Sequence, residues 1–306
     1  MKKATKLVGL CALLAIAIVS CKKNNELGEV TRMTFKANVT QPTSDDKTYL
    51  DNGSPRNLRW HAGDQVKVFV KNGHSAVFTT QDEGEINASF TGSIETSDRY
   101  VAFYPAANIT DDNNGLVTMS FCGKQPYVEN SIADGMYPMA ALESNFNFQF
   151  HSPCGFLRLC LKCNTSCTID SIVLDDKDEI QVLPRIGEMR IPHPLVGELV
   201  ADVATIDPAN PVFEMPKFSR VETITLVCNP AVQLGTEYKD FFFVVPTYPK
   251  YKVPVNIKQV FYNGFTAKVF GNGGNLLKTI TTPDGSVDIY TMESEKIKKV
   301  SSTIKL

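Results

Sequence analysis

The chain has 306 residues, with 31 Lys and Arg against 33 Asp and Glu, and its formal net charge at pH 7 is −2. This balance gives no support for nucleic-acid binding, which favours a clustered basic surface. The hydrophobic share of 43%, including 18 Phe and 10 Tyr, is enough to build sizeable cores. The length suggests about two domains of ordinary size.

The N-terminus has the pattern of a secretory signal peptide. A head with three lysines precedes an apolar run over residues 7–19, which is shorter than a membrane-spanning helix. The run ends in the sequence Ile-Val-Ser-Cys at Cys21, which resembles the bacterial lipobox. That pattern implies removal of residues 1–20 and a diacylglycerol thioether on Cys21. The alternative is an ordinary signal peptide followed by a chance cysteine.

Loss of residues 1–20 removes three lysines and no acid, so the net charge changes from −2 to −5. No second apolar run reaches the length of a membrane helix, so the lipid is expected to be the anchor. Residues 21–30 are mostly polar and are predicted to form a tether between the lipid and the first domain.

The first predicted strand is Thr31–Val39, in which apolar and polar residues alternate around Phe35. A polar loop follows and ends at Trp60. Gly63-Asp64 is predicted to be a tight turn before a strand in which alternate valines line one face. We expect Trp60, Gly63 and Asp64 to be structural, with Trp60 capping the first core.

The rest of the chain has many short alternating or continuously apolar segments and no long helical period. Predicted strands cover residues 99–105, 117–121, 145–150, 156–162, 168–174, 221–227, 240–245, 255–262, 265–270 and 287–291. Asn263-Gly264 predicts a two-residue hairpin between two of these strands. A break near residues 151–154 divides the strands into two blocks, which predicts two β-sandwich domains, 31–152 and 153–306.

Several short motifs occur in a fixed order after the lipobox. They are Phe35 in the first strand, Trp60–Asp64 before a Val-Lys-Val strand, Tyr100–Pro105, Met136–Met139, and Phe148–His151 before Leu157-Arg-Leu159. This order resembles the fimbrillin-like lipoproteins, which are the subunits of type V pili in Bacteroides-type bacteria. The resemblance covers most of the chain and is clearest over residues 35–174.

The resemblance implies an all-β fold of two transthyretin-like β-sandwiches in tandem. It also implies an outer membrane lipoprotein at the cell surface or in a fimbrium, which serves adhesion and has other fimbrillin subunits, or copies of itself, as partners. Assembly would proceed by donor-strand exchange, after a trypsin-like protease removes the first strand. Arg32, Arg56 and Arg59 are the candidate cleavage sites, unless all three are simply solvated surface charges. The lysine-rich C-terminus departs from the family pattern, which leaves a tip, accessory or anchor role open.

Cysteine and histidine patterns give little support for catalysis or metal binding. Four cysteines lie within Cys154–Cys167, but their spacing matches no common metal motif, and alternation places Cys160 and Cys163 on opposite faces of one strand. Such cysteines are more typical of disulfides or of small buried thiols. No acid–base or nucleophile motif is present. We therefore expect no enzyme activity and no cofactor, and the alternative function is a non-polymerising surface lipoprotein that binds a glycan or peptide of a host or bacterial surface.

Overall fold

The computed structural model describes residues 29–44, 58–71, 73–111, 115–152, 154–176, 181–183, 188–191, 198–202, 223–246, 259–262, 265–281 and 296–305. These ranges contain 23 strands and one 3-10 helix, Ala106–Asn108, so the predicted all-β class is confirmed. The predicted signal peptide, Cys21 and Arg56 lie outside the described residues. The division into two tandem transthyretin-like sandwiches stays a prediction.

Twelve strands precede residue 152. They are β1 (Val30–Val39), β2 (Thr43–Ser44), β3 (Gln65–Val70), β4 (Ser75–Thr80), β5 (Asn87–Glu95), β6 (Tyr100–Tyr104), β7 (Ile109–Asp111), β8 (Leu116–Ser120), β9 (Lys124–Val128), β10 (Ser131–Ile132), β11 (Met139–Glu143) and β12 (Asn147–Phe150).

Eleven strands follow. They are β13 (Cys154–Cys163), β14 (Cys167–Asp176), β15 (Gln181–Leu183), β16 (Glu188–Ile191), β17 (Glu198–Asp202), β18 (Ile224–Leu234), β19 (Lys239–Pro246), β20 (Gln259–Tyr262), β21 (Phe265–Gly271), β22 (Asn275–Thr281) and β23 (Lys296–Ile304).

The first half of the chain is built around a seven-stranded sheet in the order β11-β6-β3-β4-β5-β1-β12. Its two edge strands approach each other at an antiparallel bridge, where Ala140 and His151 exchange two backbone hydrogen bonds of 2.8 Å. The sheet therefore curls around the side chains of its inner face. The two edges of the sheet therefore meet at this bridge.

The inner face of this sheet carries an aromatic core. Its buried members include Phe35, Trp60, Phe78, Phe90, Phe148 and Phe150. Gly92 belongs to the packing because a Cβ at this position would lie 2.6 Å from the Phe78 ring. A larger residue there would push Phe78 out of place, since a packed core has no spare volume.

A second, smaller core lies on the other face of the same sheet. Phe69 and Phe103 project there and pack with Val117 and Met119 of β8. Strands β7, β8 and β17 form the three-stranded sheet that supplies this cover. Both faces of the region around β3 and β6 are thus buried, which agrees with the continuously apolar sequence of β6.

The third core joins strands of the second half. Strands β13, β19 and β23 lie in one sheet and β14, β18, β21 and β22 in another, and leucine, isoleucine and phenylalanine side chains fill the space between them. Strand β9, from the first half of the chain, pairs in parallel with β18. The predicted boundary at residues 152 and 153 stays a prediction, and the β9–β18 pairing crosses it.

The Gly-rich segment 271–275 forms the turn of a hairpin between β21 and β22. Asn263 and Gly264, where the sequence predicts another hairpin turn, lie outside the described residues. The strands on either side of them pair elsewhere, since β20 pairs with β16 in one sheet and β21 pairs with β14 and β22 in another. Among the described residues, no helix is long and apolar enough to cross a membrane.

Candidate functional site

The N-terminal strand β1 lies inside the seven-stranded sheet. It is antiparallel to β5 from Val30 to Asn38 and parallel to β12 from Lys36 to Val39. The parallel arrangement requires a long crossover, which the chain between β1 and β12 provides. The strand nearest the N-terminus therefore occupies a slot between two strands that are far from it in sequence.

The inward face of β1 supplies three buried side chains, Phe35, Ala37 and Val39. The Phe35 ring lies among aromatic partners, with ring centroids 4.6 Å from Phe148 and 5.1 Å from Phe78. Full burial of a side chain such as Phe or Val stabilises a fold by about 1.5–3 kcal/mol. The strand thus contributes a substantial part of the first core.

The outward face of β1 is polar and bonded to both neighbours. The Thr34 and Thr91 hydroxyls lie 3.0 Å apart, and Lys36 Nζ donates to Ser89 Oγ at 2.6 Å. On the other side, Asn38 Nδ2 donates to Gln149 Oε1 at 2.8 Å. Since a slip of one residue would exchange the two faces, these contacts and the apolar face specify one register.

Trp60 joins this strand to the rest of the core. It is 1% exposed, and its indole Nε1–H donates to the Ala37 carbonyl oxygen at 3.0 Å. Its ring makes edge contacts with Phe90, Tyr104 and Phe150, at centroid distances of 4.9–5.3 Å. Aromatic pairs in this geometry add to the energy of burial itself.

The turn after Trp60 is held by the two residues that the sequence singled out. Gly63 has a φ of +94°, which favours glycine, and its N–H donates to the Thr80 carbonyl. The Asp64 carboxylate accepts a bond of 2.8 Å from the His61 N–H and one of 3.0 Å from the Tyr104 hydroxyl. Burial raises the pKa of Asp64, and the two hydrogen bonds oppose that rise.

His61 forms a polar cluster at the rim of the core. Its Nδ1 lies 2.8 Å from Glu83 Oε1, and its Nε2 lies 3.4 Å from Asp134 Oδ1. The hydrogen bond with Glu83 raises the pKa of His61, against a smaller effect of burial. No sequence motif marks His61 as a functional residue, and its partners Glu83 and Asp134 could not be identified because they are distant along the chain.

A cleft of about 200 Å³ opens beside this cluster. Its lining includes Val39 at the end of β1, Trp60, His61, Tyr104, Asp134 and Tyr137. The segment that contains Asp134 is tied across the cleft by a bond of 3.1 Å from the Gly135 N–H to the Tyr104 hydroxyl. The cleft therefore begins where the buried part of β1 ends.

The candidate cleavage sites occupy different settings. Arg32 is exposed and lies within β1, where it pairs with Ser93 of β5. Arg59 is also exposed, and its guanidinium donates to the Gly84 carbonyl beside Trp60. Both side chains are accessible, but the Arg32 backbone belongs to a strand ladder.

The cysteines and histidines in the described part of the chain do not gather at one metal-binding site. Cys160 lies with Arg158 and donates to Asp240 at 3.0 Å, whereas Cys163 packs among the leucines of the third core. This confirms that the two thiols lie on opposite faces of β13. Within the described ranges, no group of three His, Cys, Asp or Glu residues is arranged to hold a metal ion.

No family model matches the chain, and no curated protein of similar sequence was found. Solved structures that are similar to this chain include a proposed cell adhesion protein from Bacteroides ovatus. It is 10% identical over 90% of this chain and 92% of that one, with a TM-score of 0.47. A proposed cell adhesion protein from Bacteroides uniformis is 14% identical over 89% and 93%, with a TM-score of 0.46. A fimbrial protein from Bacteroides ovatus is 13% identical over 90% and 50%, with a TM-score of 0.37.

Proposed function

We propose that this chain is a structural subunit of a surface fimbria, in the stalk, at the tip or as an accessory, that assembles by strand exchange and serves adhesion. The observation that carries the proposal is the position of β1. It is the first strand among the described residues, it lies between β5 and β12, and it places three side chains in the core. The resemblance to fimbrillin-like lipoproteins supports the same function.

Removal of β1 would open a slot in which apolar side chains and backbone hydrogen-bonding groups both lose their partners. The aromatic partners of Phe35 would be exposed to water, and β5 and β12 would each lose a row of backbone hydrogen bonds. A strand from a neighbouring copy would restore both, with about 25 cal/mol gained for each Å² of apolar surface buried again. Such head-to-tail contacts do not close on themselves, so they produce filaments.

The position of the cut decides whether the slot opens. Cleavage after Arg32 would leave Phe35, Ala37 and Val39 attached to the body of the protein. Cleavage after Arg56 or Arg59 would separate the whole of β1 from the strands that follow Trp60. We therefore propose Arg56 or Arg59 as the processing site, and we propose that a cut at Arg32 alone would not permit exchange.

The slot also restricts the strand that could replace β1. An incoming strand must run parallel to β12 and antiparallel to β5. At the Ala37 position it must present a small side chain, because Ala37 is 0% exposed in the same core as Trp60. Its carbonyl there would accept the Trp60 indole N–H that Ala37 accepts here.

The experiment is limited trypsin digestion of the purified full-length chain, followed by electron microscopy and mass measurement of the N-terminus. We expect filaments or SDS-resistant ladders to appear once residues up to Arg56 or Arg59 are lost. A Lys47→Gln/Arg56→Gln/Arg59→Gln variant, which has no tryptic site between β1 and Trp60, should remain monomeric under the same digestion, and Arg32→Gln should behave like the parent. A synthetic peptide of residues 30–39, added during digestion, should suppress assembly by occupying the slot.

Two outcomes contradict strand exchange. Filaments that retain the full N-terminus would show that assembly does not need the slot. Monomers that persist after β1 has been cut away and removed would show that the open slot does not capture a neighbour.

We also propose that the chain is anchored in the outer membrane by a lipid on Cys21. The support is the Ile-Val-Ser-Cys junction after an apolar run of signal-peptide length. Cells that express the parent should incorporate a palmitate analogue into the protein, and cells that express Cys21→Ala should not. Equal labelling of the two proteins would contradict the lipobox interpretation.

A second candidate function is a binding lipoprotein that does not polymerise and catalyses no reaction. The cleft beside Trp60 favours it, since tyrosine, histidine and aspartate groups converge there. At about 200 Å³, however, the cleft is smaller than the ~300–1,000 Å³ of ordinary ligand pockets. It has room for a single sugar unit or one peptide side chain, so assembly remains the better-supported function.

A further inference from the structure

Two cysteines flank the connection between the two sheets of the third core. Cys163 is the last residue of β13, and Cys167 is the first residue of β14. Three residues, Asn164 to Ser166, carry the chain from one sheet to the other. Both cysteines are buried in the same core, with exposures of 0% and 3%.

Backbone contacts place the two residues beside the same part of β18. The Cys163 N–H donates to the Gly235 carbonyl at 2.7 Å, and Cys167 pairs with Leu234. Both side chains turn inward from this region into the third core, and the Cys163 thiol lies 3.9 Å from the Asn164 side-chain oxygen at the start of the connection. Other described cysteines bond elsewhere: Cys122 donates to the Lys124 carbonyl, and Cys160 donates to Asp240.

We infer that Cys163 and Cys167 form a disulfide that fastens the two sheets of the third core to each other. Two cysteines that flank a three-residue connection and are buried in the same core are placed so that their Cβ atoms can approach as closely as a disulfide requires. The predicted export of the chain would place it in a compartment where disulfides persist. The inference does not depend on fimbrial assembly.

The reaction is a thiol–disulfide exchange with a small disulfide or an oxidoreductase in its disulfide form. One cysteine thiolate attacks a sulfur of the oxidant and releases one reduced thiol from it. The second cysteine thiolate then attacks the mixed disulfide and releases the other reduced thiol. The protein loses two electrons and two protons, and the oxidant gains them.

The bond is expected to form while the chain folds. In the folded protein, burial raises the pKa of Cys167 to about 12, and the neighbouring Cys163 raises it in the same direction. Few thiolates are therefore present near neutral pH, and exchange on the closed core is slow. Before the core closes, both thiols are exposed and react at ordinary rates.

The test is refolding of the full-length chain, after reduction in denaturant, in a buffer of oxidised and reduced glutathione. Free thiols are then alkylated, the protein is digested, and every cysteine is assigned by mass spectrometry. We expect one peptide with Cys163 and Cys167 unalkylated and lighter by two hydrogens. The melting temperature of the oxidised protein should exceed that of the reduced protein by about 4–8 °C.

The matched variants are Cys163→Ala/Cys167→Ala and Cys228→Ala, since Cys228 is buried in the same core. The double variant should lose the difference in melting temperature between oxidised and reduced protein, and Cys228→Ala should keep it. The mass-spectrometric assignment of the cysteines needs only the parent protein. It therefore decides the inference even if a variant fails to fold. Recovery of Cys163 and Cys167 as separate alkylated residues, or bonded to other cysteines, would overturn the inference.

Discussion

Two adjacent residues, Trp60 and His61, connect the first strand to a surface segment that follows much later in the chain. The indole of Trp60 bonds to the Ala37 carbonyl of β1, and the imidazole of His61 lies against Asp134 at the rim of the cleft. Gly63 and Asp64 fix the turn that presents both. Single substitutions of Trp60 and of His61 should therefore test the packing of the core and the electrostatics of the cleft rim separately.

Trp60→Ala is expected to reduce the free energy of unfolding by about 3–5 kcal/mol, because it empties the centre of an aromatic cluster. The measurement is denaturant unfolding at equilibrium. Val77→Ala is the control, since Val77 is 47% exposed and should change stability by less than ~0.5 kcal/mol. A Trp60→Ala protein as stable as the parent would contradict the structural role and favour a binding role.

The raised pKa of His61 predicts a stability change near neutral pH. A group whose pKa is higher in the folded state stabilises the fold fully below its unfolded pKa of about 6.5, and this stability is lost as pH rises through the folded pKa. Parent stability should thus fall between pH ~6 and ~8 more steeply than that of His61→Gln.

The measurement for His61 is a series of denaturant midpoints across this pH range. Glu83, Asp134 and Asp64 face the imidazole and remain in the variant, so the difference between the two proteins isolates His61. Parallel pH profiles for parent and His61→Gln would contradict the prediction.

At the scale of elements, β1 combines a firm place in the sheet with a position close to the chain terminus. It has a strand on each side and contributes to the first core, but a single polar connection leads from it toward Trp60. Its inner face is uneven, with Ala37 between the larger Phe35 and Val39. The shape of this face can be tested without cleavage.

Ala37→Leu is expected to cost about 1–3 kcal/mol of stability, since overpacking a closed core forces its neighbours out of place. The Trp60–Ala37 hydrogen bond should lengthen, with a change in indole fluorescence. Thr34→Leu makes a comparable increase in size on the exposed face and serves as the control. Equal effects of the two substitutions would contradict a size limit at position 37.

Local sequence patterns predicted many strands but few of their partners. Alternation in Thr31–Val39 and the apolar run before Pro105 are properties of single segments, and both strands are present. The sequence did not predict β23, because its lysines interrupt the alternation of apolar and polar residues. The segment forms a strand through its parallel pairing with β13. Strands β20 and β21, on either side of Asn263-Gly264, pair with distant strands, so long-range pairing outweighs the local preference for a hairpin.

The residues of the candidate site could likewise be predicted only in part from the sequence. Trp60, Gly63 and Asp64 could be found because one tryptophan and a Gly-Asp turn stand out in the sequence. Glu83, Tyr104 and Asp134 could not, because they reach His61 and Asp64 through folding of separate segments. Residues that are far apart in the sequence and come together only in the folded protein have no characteristic sequence spacing by which they could be recognised.

At the scale of the whole molecule, β13 and its neighbour β19 contribute to two cores. The start of β13 places Cys154 and Phe156 in the first core, and its remainder places Leu157, Leu159 and Leu161 in the third. When a continuous strand packs in two cores, the unfolding of one core also destabilises the other core. The two halves of the chain are therefore expected to unfold together.

Leu159→Ala is expected to lower the free energy of unfolding by about 2–5 kcal/mol and to keep a single transition. Hydrogen exchange should rise in β3 as well as in β14, although β3 lies in the other half. Leu116→Ala, at a residue that is 46% exposed, is the control. Two separate transitions, or faster exchange confined to β14, would show that the halves unfold independently.

The parallel pairing of β1 with β12 has a mechanical consequence. A pull on the N-terminal end of the chain acts along the axis of β1, across hydrogen bonds that lie on both sides of the strand. Under such shear loading the bonds must break together, whereas a strand that is peeled from an edge loses them one at a time. A replacement strand in the same slot and direction would carry load in the same way. A filament joined through such slots would thus resist fluid drag through the slow unfolding rate of each joint, which governs rupture under force.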